Sequence, residues 1–95
     1  MTVTAIFTFN AQPGQREALA AAMHDIAERL PSVDGFVGVA TYNAVDDPDT
    51  IIELVEWESV EAHGAFRKLA TESGWFEALG AVTTGPPSST YITAR

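Results

Sequence analysis

The sequence predicts an α+β fold with the element order β-α-β-β-α-β. Three observations carry this prediction. β-branched and aromatic runs recur near residues 3–10, 33–43 and 50–58. Two stretches between and after them place apolar residues at helical spacing. Proline, glycine, aspartate and serine punctuate the joins.

Each element has its own reason. From Val3 to Asn10, apolar Val3, Ala5, Phe7 and Phe9 alternate with Thr4 and Thr8, which reads as a strand; Ile6 breaks the alternation, so both faces should be covered there. Pro13-Gly14 ends it. From Gln15 to Leu30, Leu19, Ala22, Met23, Ile26, Ala27 and Leu30 line one side of a helix, alanines raise its propensity, and Pro31 stops it. A second strand covers Val33 to Asn43, with Gly38 marking a bulge or a close approach. The acidic turn Asp46-Asp47-Pro48-Asp49 then folds the chain into an antiparallel hairpin with Thr50–Glu58. Ser59 caps a second helix, Glu61 complements its dipole, and Val60, Phe66 and Leu69 are expected inward. Ser73-Gly74 breaks it before a further turn or two holding Trp75, Phe76 and Leu79. Gly85-Pro86-Pro87 is a rigid linker into a last short strand, Thr90–Ala94. The order is that of the ferredoxin-like arrangement.

Size and charge narrow the function. Ninety-five residues fit one domain over 1–95. Thirteen acidic residues against five Lys+Arg give a formal net charge of −8, which argues against nucleic acid and anionic membrane surfaces as partners. The absence of cysteine removes disulfides, thiolate metal sites and thiol nucleophiles. No run is long enough to span a bilayer and the N-terminus lacks a signal-peptide pattern, so a cytoplasmic protein is expected.

Two helices on one face of a four-stranded sheet leave the other face bare. On the third strand, Glu53, Val55 and Trp57 point one way and Ile52, Leu54 and Glu56 the other. Neither set is consistently polar, as a solvated face requires. A second copy of the chain is the simplest cover, giving a two-fold dimer with sheets face to face.

These residues resemble a known family. Asp34-Gly35-Phe36-Val37-Gly38, the turn Asp46-Asp47-Pro48-Asp49, and Glu56-Trp57-Glu58-Ser59 followed by Glu61-Ala62-His63 are similar to the motifs of the antibiotic biosynthesis monooxygenase domain, in order and spacing. The resemblance implies a dimeric α+β barrel with a pocket in each subunit between sheet and helices. Its members include cofactor-free oxygenases of aromatic polyketides, haem-degrading enzymes, isomerases and cyclases, so fold does not fix chemistry. The polyketide oxygenases carry an asparagine four residues before the tryptophan of strand three; here that position is Glu53, on the same strand face as Trp57. The haem-degrading members pair a strand-one asparagine with a helix-two histidine. Phe7 takes the first position and no histidine falls clearly on the second.

Candidate catalytic residues are Trp57, Glu53 and His63; candidate substrate-binding residues are Arg67, Asn43, Tyr42, Phe66 and Phe7. Each has a plainer reading. Trp57 could fill a core. Glu53 could reach solvent at a cavity mouth or pair with Arg67 or Lys68; in an apolar pocket its pKa would rise into the range of a general base. His63, like His24, is the kind of lone histidine that usually lies exposed. Arg67 could bind a phenolate or carboxylate, or salt-bridge Glu61 or Glu72 on its own helix. Asn43 and Tyr42 end strand two beside a turn. The aspartate cluster lacks the spacing of a calcium loop and reads as a solvated turn, and no metal site is expected. The expected activity is oxygenation of an electron-rich phenol, anthrone or hydroquinone by dioxygen in a homodimer without a cofactor, Trp57 stacking on the substrate ring. An isomerase, a cyclase and a non-catalytic small-molecule-binding dimer are the alternatives.

Overall fold

The computed structural model describes residues 2–95. Strands β1 (Val3–Asn10), β2 (Phe36–Asn43), β3 (Thr50–Trp57) and β4 (Ser88–Ile92) form one antiparallel sheet ordered β2-β3-β1-β4. Helices α1 (Arg16–Ala27), α2 (Val60–Glu72) and α3 (Glu77–Val82) complete it. This is the ferredoxin-like α+β arrangement expected from the pattern.

The register sorts the side chains. Phe7 lies opposite Glu53, Ala5 opposite Val55, and Val3 opposite Trp57, all facing the helices. Ile6 lies opposite Leu54 and Thr8 opposite Ile52 on the other face. Two apolar clusters pack between the helices and the sheet. One joins Phe9, Leu19, Met23 and Ile51; the other joins Leu30, Val55, Trp57, Phe66 and Ala70.

Three boundaries and the facing of one helix differ from the sequence reading. Strand β4 runs from Ser88 to Ile92 rather than from Thr90 to Ala94. Helix α1 stops at Ala27, and Leu30–Ser32 forms a 3₁₀ turn with Leu30 buried. The ring of Pro31 would collide with the carbonyl of Ala27 in a continued α-helix, so its influence begins before Leu30. Strand β2 starts at Phe36 rather than Val33, with the expected bulge between Phe36 and Gly38. On α2 the buried stripe is His63, Phe66 and Ala70, whereas Val60 and Leu69 are exposed. At 100° per residue, both sit about a quarter turn from that stripe, on opposite flanks. Ser59 caps α2 as expected, its hydroxyl accepting from Ala62 N at 3.1 Å.

The acidic turn is exposed but structured. Asp49 Oδ1 accepts from Gly14 N at 3.0 Å, and Arg16 Nη1 donates to the Asp47 carbonyl at 3.2 Å. These bonds fasten the β2–β3 hairpin to the start of α1.

Gly35 is required where it stands. Its φ is +84°, and an added Cβ would lie 2.5 Å from the Cβ of Ala62 in the first turn of α2. Its carbonyl also accepts from Glu58 N at 2.8 Å, tying the entry to β2 to the exit from β3. Gly35→Ala should therefore cost about 3 kcal/mol, combining left-handed strain with overpacking. Chemical denaturation checks this, and adding Ala62→Gly should recover the steric part but not the strain.

Candidate active site

A cavity of about 780 Å³ opens between the helix-facing side of the sheet and the helices. That is ample for a polycyclic ligand. Its floor is Ala5, Phe7 and Phe9 of β1 with Glu53, Val55 and Trp57 of β3. Met23 and Ile26 of α1 and His63, Phe66 and Arg67 of α2 form the walls. The segment Thr83–Pro87 and Tyr91 of β4 form the rim.

Glu53 is the acidic side chain of the cavity floor, half-buried among apolar neighbours. Strand periodicity turns it toward the helices between Phe7 on β1 and Thr41 on β2. Among the described residues no hydrogen bond or ion pair reaches its carboxylate, so neither Arg67 nor Lys68 serves it. Loss of hydration therefore acts alone and pushes the carboxyl from 4.5 up to about 7. A carboxyl with that affinity exchanges a proton readily at neutral pH.

His63 is buried, at 5% exposure, contrary to the expectation for a lone histidine. Its Nδ1 lies 2.5 Å from the Tyr91 hydroxyl, and its ring stacks on Trp57 with centroids 5.3 Å apart at 26°. Phe7 meets it edge-on at 5.7 Å. Burial, reinforced by the positive charge of Arg67, pulls His63 down to about 4, so the imidazole is neutral at physiological pH. His24, in contrast, is exposed and bonds Glu28 across one helical turn at 2.7 Å.

Trp57 is 1% exposed, and its indole Nε1 is buried without a hydrogen-bond partner. An unpaired buried donor of this kind costs about 1–3 kcal/mol. His63 and Phe66 lie against the indole at 5.3 and 5.2 Å, and Phe36 meets it edge-on at 5.8 Å. The ring is thus mostly occupied by its neighbours, which leaves little of it for the expected substrate stack.

Arg67 is exposed, follows His63 by one helical turn, and lines the cavity. Among the described residues it forms no salt bridge, although Glu61 and Glu72 share its helix. Phe7 and Phe66 line the cavity. Asn43 and Tyr42 do not. Tyr42 pairs with Ile52 on the far face of the sheet and is 56% exposed, and Asn43 ends β2 away from the lining. Tyr91, which the sequence reading did not single out, enters through the β4 register, opposite Ala5 on the helix-facing side. No group of three His, Asp or Glu that could hold a metal ion occurs among the described residues, nor does a helix long and apolar enough to cross a membrane.

The profile of the antibiotic biosynthesis monooxygenase family matches residues 2–77. The comparison with curated proteins gives no significant match. Solved structures similar to this chain include a protein from Bordetella bronchiseptica named for antibiotic biosynthesis monooxygenase, at 23% identity and TM-score 0.89, covering 99% of this chain and 97% of that one. SnoaB, a cofactor-independent oxygenase from Streptomyces nogalater, aligns at 22% identity and TM-score 0.79, covering 99% and 93%. A conserved protein from Methanosarcina mazei reaches TM-score 0.86 at 10% identity, covering 100% and 94%. At such identities these likenesses show the fold alone.

Proposed function

This chain belongs to the antibiotic biosynthesis monooxygenase family, and from that premise we propose that it is a cofactor-independent monooxygenase of an electron-rich aromatic substrate. The substrate class is a polyketide-type phenol, anthrone or hydroquinone. The observation that carries this reading is Glu53: a carboxyl without a protein partner, desolvated to a proton affinity near neutrality, on the floor of a largely apolar cavity.

Glu53 takes a proton from the bound substrate. The resulting anion is electron-rich enough to pass one electron to dioxygen, and the two radicals combine at carbon. The peroxide so formed loses water as the O–O bond breaks and a carbonyl forms, leaving one oxygen atom in the product. The protein's contribution is a dry site, a base, and positive charge or N–H donors near the developing oxyanion. Arg67 supplies the charge. The unpaired Trp57 N–H is a donor whose burial cost a substrate oxygen would relieve. His63, held neutral, is too weak a base to compete with Glu53.

Oxygen uptake with an anthrone in chelator-treated buffer tests the proposal. One dioxygen consumed per quinone formed is expected. Glu53 would serve an isomerase or cyclase of the same fold equally well, and product formed at the same rate under nitrogen would favour that reading.

The same reading includes a homodimer. Ile6, Ile52 and Leu54 form a half-buried apolar centre on the face of the sheet away from the helices, with the exposed Ile92 and Tyr42 beside it. A face of this kind suits a second copy of the chain. Sedimentation at low micromolar concentration should give a dimer, and a Leu54→Arg variant should sediment as monomer. A wild-type monomer at that concentration would reject the assembly.

A further inference from the structure

The His63–Tyr91 pair carries an inference that rests on the reading of the site as one that ionises a phenolic substrate. His63 is fixed on several sides. The Trp57 stack sets the plane of its ring, the edge of Phe7 closes one side, and Tyr91 meets it edge-on at 5.5 Å. Only its protonation pattern remains to be decided, and the 2.5 Å contact between Nδ1 and the Tyr91 oxygen decides it. A phenol is a good donor and a poor acceptor, because its oxygen lone pair is delocalised into the ring. An imidazole nitrogen is a good acceptor. Tyr91 therefore donates and Nδ1 accepts, which leaves the ring proton on Nε2. Nε2 has no protein partner among the described residues and is not one of the fully buried unpaired polar atoms.

We propose that Tyr91 is a positioning residue: its hydroxyl locks His63 in the Nε2–H tautomer, so that a neutral imidazole N–H faces the cavity as a donor to the substrate oxyanion. A neutral donor has an advantage over an imidazolium here, since it stabilises negative charge without releasing its proton to the anion. The depressed proton affinity of His63 keeps it in that neutral form. Arg67, one turn along α2, adds a cation to the same end of the cavity.

The test is ¹⁵N NMR of imidazole-labelled protein at neutral pH, read alongside kinetics. The wild type should show Nδ1 as an unprotonated, hydrogen-bonded nitrogen and Nε2 as protonated. Tyr91→Phe should give a mixture of tautomers, with kcat lowered roughly 10- to 100-fold and KM little changed. Binding of a hydroxynaphthoquinone, ionised at neutral pH and already at the oxidation level of a product, should move the Nε2–H resonance downfield in the wild type and less in Tyr91→Phe. A wild-type Nδ1–H tautomer, an unchanged spectrum in Tyr91→Phe, or no response of Nε2–H to the bound anion would each overturn the proposal. The spectra need no turnover, so absent oxygen uptake would refute the monooxygenase reading while leaving the tautomer result to stand or fall separately.

Discussion

Glu53→Gln should make the protein more stable and much less active. The folded carboxyl titrates at about 7 and its ordinary value is 4.5, so between those pH values the native state holds a proton that the unfolded chain has released. Stability from this group is therefore full below pH 4.5, declines as pH rises to about 7, and stays reduced above it. The shift corresponds to about 3 kcal/mol at most. Gln removes the charge but keeps a polar amide, so the expected gain at alkaline pH is about 1–3 kcal/mol, read as a rise in Tm. Turnover should fall roughly 10²- to 10⁴-fold, the usual contribution of a general base.

The pH profile of stability adds a check that does not involve activity. His63 has the opposite sign: its folded value of about 4 lies below its ordinary 6.5, so the unfolded state binds the extra proton and stability rises with pH through that interval. In the wild type the two slopes oppose each other from about pH 4.5 to 6.5. In Glu53→Gln the His63 slope should stand alone, and stability should climb steadily from acid to neutral pH.

Trp57 gives the second large effect. Trp57→Ala should cost about 3–5 kcal/mol, because it empties a site packed by Phe36, His63 and Phe66 and removes the platform that holds the imidazole. Trp57→Phe separates packing from chemistry. It loses volume but also removes a buried N–H that has no partner, so its stability should stay within about 1.5 kcal/mol of wild type. Turnover should nonetheless drop at least about tenfold if a substrate oxygen meets that N–H. Equal turnover in the wild type and Trp57→Phe would remove the indole from the mechanism and leave it as core.

The sequence made the architecture legible where one rule acted alone. Period-two alternation put Glu53 and Trp57 on one face of β3, and the bulge at Gly38 and the cap at Ser59 followed from local chemistry. The site was less legible where a residue's usual preference was overridden by a distant partner. His63 is polar, and its burial depends on a tyrosine 28 positions away and on the indole beneath it. Val60 and Leu69 are apolar, yet the phase of α2 is fixed by Phe66 and Ala70 and turns them aside. Tyr91 lies in a short exposed strand whose facing depends on its register with β1. Tyr42 shows the same dependence in reverse, since its parity with Ile52 carries it to the face away from the cavity.

The most direct measurement is the titration of the Glu53 side chain itself, followed by carboxyl ¹³C NMR in labelled protein with Glu53→Gln to assign the signal. A midpoint near 7 is the expected result, since burial without a partner raises the carboxyl to that value. A midpoint close to 4.5 would mean that water or a cation reaches the group, and the cavity would then lack the base on which the chemistry depends.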